Sequence, residues 1–411
     1  MNETIETVIV GGGQAGLSLS YYLTKLDREH VVLEQADRPG EAWRNHRWDS
    51  FTLVTPNWSF RVPGIEYQED DPDGFMHRDD IVRRFERMVT QYHLPVSYRT
   101  RVTSVQQRDT GSGYVVAAQG SQLRTRNVVI ATGLFQKGRL PAFAADIPPS
   151  ILQIHSDEYR SPDALPPGAV LVVGTGQSGC QIAEELHEQG RTVYLSVSGA
   201  PRAPRHYRGR DIYEWAVRSG FTDRTPDKLP SSKARFAPNP QLSGKNGGHS
   251  LNVHQFYRNG VRLLSHVRGY EDGKLLLAQD LKDCLEKSDK AEADFVAMVD
   301  RYIAQNGIQA PEERLPQLSD GYTAPDPPAL DLREAGISTI LWATGYRPDY
   351  SLVGLPVTDE DAFPITERGV TRYPGLYFLG MPWLYKQKSG LLLGVGEDAE
   401  YLANHIANSG G

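Results

Sequence analysis

The sequence predicts an α/β protein of two doubly wound units, the second inserted into the first. Three observations predict it. First, the strand-like run 7–10 ends in Gly11-Gly12-Gly13-Gln14-Ala15-Gly16, and the run 170–173 ends in Gly174-Thr175-Gly176-Gln177-Ser178-Gly179. Second, each glycine run opens a helical pattern, with Leu19, Leu23 and Leu26 in one and Ile182 and Leu186 in the other. Spacings of three and four put such residues on one helix face. Third, two later strands end alike, in Ala131-Thr132-Gly133 and Ala343-Thr344-Gly345.

Taken in order, the elements complete the pattern. A second strand follows each helix, at 30–35 and 192–197. The chain is expected to build the first part of one unit over 1–165 and the second unit over 166–345. The second unit carries a loop and helical insertion at about 206–330. The chain returns to the first unit over 346–411, with a strand at 376–380 and a last helix from about 390 to 406. Segments 222–250 and 307–330 lack periodicity and read as loops; the latter carries Pro311, Pro316, Pro325, Pro327 and Pro328. Between them, Leu281, Leu285, Phe295, Val299 and Tyr302 have helical spacing, read as surface helices.

Composition narrows the class. The 411 residues are 39% hydrophobic and 23% charged, which suits a folded chain with a large core. A net charge of −7 argues against a nucleic-acid binder. No apolar run approaches a membrane span. Met1–Glu6 is acidic and runs into a strand, unlike a secretory or transit signal. Cys180 and Cys284 are the two cysteines, with no C-x-x-C pair, so a dithiol reductase is disfavoured and a cytoplasmic location is expected. The histidines show no metal-ligand spacing, so no metal is expected.

Both glycine runs match G-x-G-x-x-G between a strand and a helix, the signature of a Rossmann-like dinucleotide-binding domain. In the first, Gly11 permits the tight turn, Gly13 lets a pyrophosphate approach, and Gly16 lets helix and strand pack. Glu34 then ends the next strand, where a ribose-binding carboxylate is expected. The second motif leads to Ser198, with no carboxylate, followed by Arg202 and Arg205. Losing the acid and gaining guanidinium groups favours a ribose 2′-phosphate. The expected cofactors are therefore FAD in the first domain and NADPH in the second. The first site is expected to use Gly11, Gly13, Gln14, Ala15, Gly16, Glu34, Gln35, Val105, Ala131, Thr132, Gly133 and Ser389. The second is expected to use Gly174, Gly176, Gln177, Ser178, Gly179, Ser198, Arg202, Arg205, Ala343, Thr344 and Gly345.

With both motifs, Gly40-Glu41-Ala42-Trp43, the run Ile154-His155-Ser156-Asp157-Glu158-Tyr159-Arg160 and Ala343-Thr344-Gly345-Tyr346-Arg347-Pro348, the chain resembles the class B flavin monooxygenases over nearly its whole length. The resemblance implies a flavin contact at Gly40 and Trp43. It aligns His155 and Tyr159 with the end of the F-x-G-x-x-x-H-x-x-x-[FY] signature. Pro149 and Ile151 stand where Phe and Gly are usual, and Tyr159 where Baeyer–Villiger enzymes carry Trp. The family's flavin-side Asn falls on Asn57, which here follows Pro56 instead of preceding it. Gly380-Met381 lacks the ribityl-binding Asp of many such flavoproteins.

The reaction so implied is insertion of one oxygen atom from O2 into a small organic substrate, by N-, S- or C-oxygenation through a peroxyflavin. Candidate catalytic residues are Asn57, His155 and Lys386, the last beside a helix start that could stabilise charge on reduced flavin. A small-molecule substrate and a homodimer are expected, without nucleic acid or membrane. Two alternatives stand beside this reading. One is an NADPH oxidase or diaphorase that oxygenates nothing. The other is a flavin-binding redox sensor using 202–260 as an interaction surface. His249 and Asn252 follow a flexible stretch that reads as a lid, with a helix cap as the plainer reading, and Cys180 reads as core.

Overall fold

The computed structural model describes residues 4–109 and 112–409. The start of the chain used above to argue against a signal, residues 1–3, lies outside them. In chain order the main elements are β1 (Thr4–Val10), α1 (Gln14–Lys25), β2 (His30–Leu33), α2 (Arg78–Gln91), β3 (Val96–Ser97), β4 (Val102–Gln107), β5 (Tyr114–Ala118) and β6 (Ser121–Ile130). Then come β7 (Leu152–His155), β8 (Ala169–Val173), α3 (Gln177–Glu188), β9 (Val193–Ser196), β10 (Arg262–Leu264), β11 (Val267–Glu271) and β12 (Lys274–Leu277). The chain closes with α4 (Leu281–Gln305), β13 (Ala329–Asp331), β14 (Ile337–Trp342), β15 (Leu376–Phe378) and α5 (Val395–Asn408).

The two units share one plan. In the first, the parallel order is β3-β2-β1-β6-β15. The early half of β6 also pairs antiparallel with β5, and β5 with β4, to make a three-stranded meander. In the second, the parallel order is β10-β9-β8-β14-β7. Its meander is β11-β12-β13. Purely parallel strands need both faces covered, which explains the continuous apolar run of β8 and the buried Val8–Val10 that end β1. In the first unit, Leu19 and Leu23 of α1 and Val395, Ala399, Leu402 and Ile406 of α5 cover one face. In the second, Ile182, Ala183 and Leu186 of α3 pack with Leu281 and Leu285 of α4 over Val170 and Val172. Each such leucine or isoleucine contributes about 1.5–3 kcal/mol by leaving water.

Topology corrects the sequence reading at several points. Strand β7 pairs with β14, so the chain has already entered the second sheet by Leu152, ahead of the expected boundary at 165. It fills the place that β15, from the far end of the chain, fills in the first sheet. The expected strands 192–197 and 376–380 are Val193–Ser196 and Leu376–Phe378. The last helix starts at Val395, not near 390. A short turn, Gln387–Gly390, comes first, and Gly390 presses so closely on Pro382 that a Cβ would lie 2.4 Å from it. Residues 281–305 form one helix whose Leu281, Cys284, Leu285, Ser288, Val299 and Ile303 are buried, so it is core as much as surface. Among the described residues no helix is long and apolar enough to cross a membrane.

Candidate functional site

The two glycine runs fold into geometrically matched cradles. Gly11 and Gly174 sit at φ +108 and +106, a region open to glycine alone among common residues. A Cβ on either would meet a carbonyl oxygen, Ala131 O at 2.7 Å or Ala343 O at 2.6 Å. A Cβ on Gly16 or Gly179 would lie 1.9 Å from the oxygen of Gly11 or Gly174, so helix and strand can approach only without side chains there. Around Gly13 and Gly176, by contrast, a Cβ would meet nothing within 4 Å, and the same holds at Gly133 and Gly345. These open positions lie at the strand ends, where a ligand belongs in an open α/β sheet. Neither α1 nor α3 has a side-chain cap or an acidic residue in its first turn. Their first N–H groups and positive dipole ends are left for an anion. The residues therefore fit a dinucleotide pyrophosphate in each cradle.

The cradles differ at the next strand. In the first, Glu34 accepts hydrogen bonds from Gly12 N at 2.6 Å and Ala36 N at 2.8 Å. Each carboxylate oxygen keeps a lone pair for a ribose hydroxyl. In the second, Thr175 and Ser198 take this place: their hydroxyls are 3.0 Å apart, and Thr175 Oγ1 donates to Ser198 O at 2.9 Å. No carboxylate is built into that turn.

Side chains around the first cradle tie distant segments to it. Gln14 Nε2 donates to Gly390 O at 2.8 Å. A Cβ on Gly380 would lie 2.3 Å from Cβ of Ala15, so the turn after β15 rests on the start of α1. Gln136 Nε2 donates to Thr132 Oγ1 and Gly133 O, and Tyr350 Oη donates to Gly133 O. Gln35 is exposed beside Glu34. Trp43 is half-buried on the short helix Glu41–Arg44, 6.0 Å from the Phe51 ring. Val105 departs from expectation: it is buried in β4, its N–H donates to Leu352 O and its carbonyl accepts from Gly354 N. It has no free backbone donor to offer a ligand.

The three candidate catalytic residues are all engaged. Asn57 is buried; its Nδ2 donates to Asp71 O at 2.9 Å and its Oδ1 accepts from Met76 N at 2.8 Å. Both ends of the amide thus hold the 57–76 loop. His155 is buried at the end of β7, with Nδ1 2.5 Å from Asp157 Oδ1 and Nε2 3.0 Å from Gly345 O. Burial works against the Asp157 charge, but hydrogen bonds from His155 and His46 hold its carboxyl well below the usual range. The histidine therefore joins β7 to the Ala343–Gly345 turn. Lys386 bridges Asp223 at 2.9 Å and Glu397 at 3.0 Å, and Lys388 bridges the same two acids. Burial lowers the Lys386 pKa, but these two partners more than offset it and raise it. Ser389 Oγ accepts from Lys386 N at 2.9 Å, closing the turn ahead of α5.

Around the second cradle, Gln177 Nε2 donates to Pro240 O at 3.0 Å, while Ser178 stands partly exposed in the first turn of α3. Thr344 Oγ1 donates to Arg139 O. The two arginines are less available than their spacing suggests. Arg202 is buried and pairs with Asp289 and Glu292, both at 2.7 Å. Arg205 is buried, donates to Val54 O at 2.8 Å, lies 3.4 Å from Asp211 and stacks on Phe75. Burial lowers its pKa. A 2′-phosphate would have to compete with Asp289 and Glu292 for Arg202. The reason is α4: spacing in sequence could not show that a distant helix delivers two acids to this arginine. The same helix sets exposed Lys287 against Gly199, where a Cβ would lie 2.9 Å from the lysine Cδ. Among the described residues Lys287 has no ion-pair partner. Sequence reasoning missed it because it is remote from the motif.

His249 lies 2.7 Å from Glu184, and Asn252 caps the helix Val253–Arg258 by accepting from His254 N. Cys180 and Cys284 are free and buried; burial pushes the Cys180 thiol up, and Cys284 to about 11. One grouping was invisible in the sequence: His266, Asp280 and Cys284 bring an imidazole, a carboxylate and a thiol within 4.8 Å of one another, against the expectation of no metal-ligand set.

Paired cradles in two sheets of one plan define an oxidoreductase fold with two dinucleotide domains. The profile of the family described as pyridine nucleotide-disulphide oxidoreductase matches residues 8–214, and the chain belongs to that family. It is 31% identical over 412 residues to an uncharacterized CzcO-like oxidoreductase of Geobacillus kaustophilus, covering 99% of this chain and all of the relative. It is 27% identical over 222 residues to the probable indole-3-pyruvate monooxygenase YUCCA10 of Arabidopsis thaliana, covering 51% of this chain and 55% of that one. In fold it is similar to the flavin-containing monooxygenase from Stenotrophomonas maltophilia, with TM-score 0.65, 19% identity and 99% of each chain covered.

Proposed function

We propose that the protein is an FAD-dependent, NADPH-using monooxygenase that places one oxygen atom of O2 on a nitrogen, sulfur or activated carbon of a small organic substrate. The carrying observation is the pair of matched, open cradles, one with a carboxylate, Glu34, on its turn and one without. The family and the monooxygenase relatives support the reading.

Bound in these cradles, FAD and NADPH would supply hydride transfer and oxygen activation. The chain's own work is binding, orientation and exclusion of water. The N–H groups at the start of α1 and α3 hold the two pyrophosphates. Glu34 fixes a ribose in the first cradle. Lys287, against Gly199, reads the 2′-phosphate in the second, since Arg202 is taken up by Asp289 and Glu292 and Arg205 by Val54 O. His155 fixes the Gly345 turn between the cradles. Gly244 and Arg205 seat the insertion on Leu53 and Val54 of the first domain, where a Cβ on Gly244 would lie 1.8 Å from Leu53 O. A junction closed there would help keep water out, which an oxygenating site requires.

The proposal extends to a homodimer in the cytoplasm, which light scattering on a sizing column tests for assembly. The chemistry is tested by giving the purified protein FAD, NADPH, isotopically heavy O2 and a panel of amines, thioethers and 2-oxo acids. One heavy oxygen atom per product, with NADPH consumed in step, is expected. Hydrogen peroxide in step with NADPH and no labelled product would instead make it an NADPH oxidase.

A further inference from the structure

We propose that His266, Asp280 and Cys284 form a divalent-metal site of the zinc class in the second domain. His266 lies between β10 and β11; Asp280 and Cys284 lie one turn apart at the start of α4. His266 Nδ1 is 2.9 Å from Asp280 Oδ2 and 3.4 Å from Cys284 Sγ. Around a tetrahedral zinc with ordinary bond lengths, sulfur, nitrogen and oxygen ligands stand about 3.3–3.6 Å apart. Small side-chain shifts therefore suffice to bring the three onto one ion.

Two features set the cluster apart from a chance contact. Asp280 occupies the N-cap position of α4 yet makes no side-chain cap bond. An Asp there ordinarily bonds the first turn. Instead its carboxylate faces His266, accepting from the His266 N–H at 3.2 Å and lying 2.9 Å from its Nδ1, while Asp326 Oδ2 accepts the first helical N–H, that of Leu281, at 3.1 Å. The donor set is also graded in depth: Cys284 is wholly buried, whereas Asp280 and His266 are 26% and 44% exposed. A cation can enter from solvent, meet a thiolate at the bottom and keep a water as fourth ligand. Mixed sulfur, imidazole and carboxylate ligands select zinc or cobalt over magnesium or calcium.

The site would reach the second cradle through α4. One turn beyond Cys284, Ser288 Oγ donates to Ala200 O at 2.7 Å and Lys287 flanks Gly199. Binding would pin the helix that carries these contacts and the two acids on Arg202.

The test is cobalt titration of the chelator-treated holoprotein, read as a difference spectrum against the metal-free sample. One cobalt per chain with a thiolate-to-cobalt charge-transfer band, displaced by zinc, is expected. The band should vanish in Cys284→Ser and persist in Cys180→Ser, with flavin content unchanged in both. If Cys284→Ser does not fold, His266→Ala, at a partly exposed position, should weaken cobalt binding roughly tenfold or more. No thiolate band in the wild-type protein, or a band that survives His266→Ala and Cys284→Ser, would overturn the site.

Discussion

Glu34 receives the backbone N–H of Gly12 at 2.6 Å, so the acid that should meet the ribose is itself fixed by the glycine turn that should meet the pyrophosphate. A Cβ on Gly12 would sit 3.0 Å from the Glu34 side chain, which leaves no room for a larger residue without moving the acid. The two halves of the first cradle thus hold each other in place.

Replacing Glu34 with Gln keeps its shape but removes its charge and one acceptor. A hydrogen bond to a charged group contributes about 1.5–3 kcal/mol, so flavin affinity should fall roughly ten- to a hundredfold. Flavin fluorescence titration of the apoprotein measures this. Unchanged affinity would show that the carboxylate does not touch the cofactor.

Gly13 and Gly16 should fail in different ways. A Cβ on Gly13 meets nothing within 4 Å, so Gly13→Val should fold and melt like the wild-type apoprotein yet emerge colourless. Gly16→Ala drives a methyl into the Gly11 carbonyl and should cost about 3 kcal/mol or more in stability. Melting curves paired with flavin absorbance separate the two.

For coenzyme choice the useful pair is Lys287 and Arg202. Lys287→Ala should raise the NADPH KM roughly fivefold, one charged contact at an exposed site, while the NADH KM stays. Arg202→Ala takes the guanidinium from Glu292 and from Asp289, which keeps Tyr322 at 2.7 Å, and because both acids are partly exposed it should cost about 1–3 kcal/mol of stability. Steady-state kinetics with both coenzymes and thermal melts give the answer. A selective NADPH defect confined to Arg202→Ala would return the 2′-phosphate to that arginine.

His249 adds a pH term. Its hydrogen bond to Glu184 raises its pKa above the ordinary 6.5, against burial. The stabilisation is complete below pH 6.5 and disappears as pH rises through the elevated folded value. The ring is 35% exposed, so the effect is small and screened by salt. Melting temperature followed upward from pH 6 should decline in the wild-type protein and lose that component in His249→Gln.

The cradles were legible because their chemistry is local: tight turns, close helix approach and a free helix start all depend on residues within one strand–turn–helix. The duplication of the plan was legible for the same reason. What the sequence could not show is long-range. Strand β7 enters the second sheet early because its partner, β14, lies far along the chain. Arg202 is neutralised by acids from α4. His266 meets Cys284 only once β10 and α4 are packed. That Asn57 holds the loop to Met76 through Asp71 O and Met76 N is likewise something residue type and position cannot reveal.

The most direct measurement is rapid mixing of the flavin-loaded protein with NADPH in the absence of oxygen. Two cradles serving one reaction require the flavin absorbance to bleach at a rate that saturates with NADPH, with Gly176→Val retaining flavin but losing the bleaching. A flavin that stays oxidised with NADPH, or that bleaches equally in Gly176→Val, would contradict hydride transfer between the two cradles.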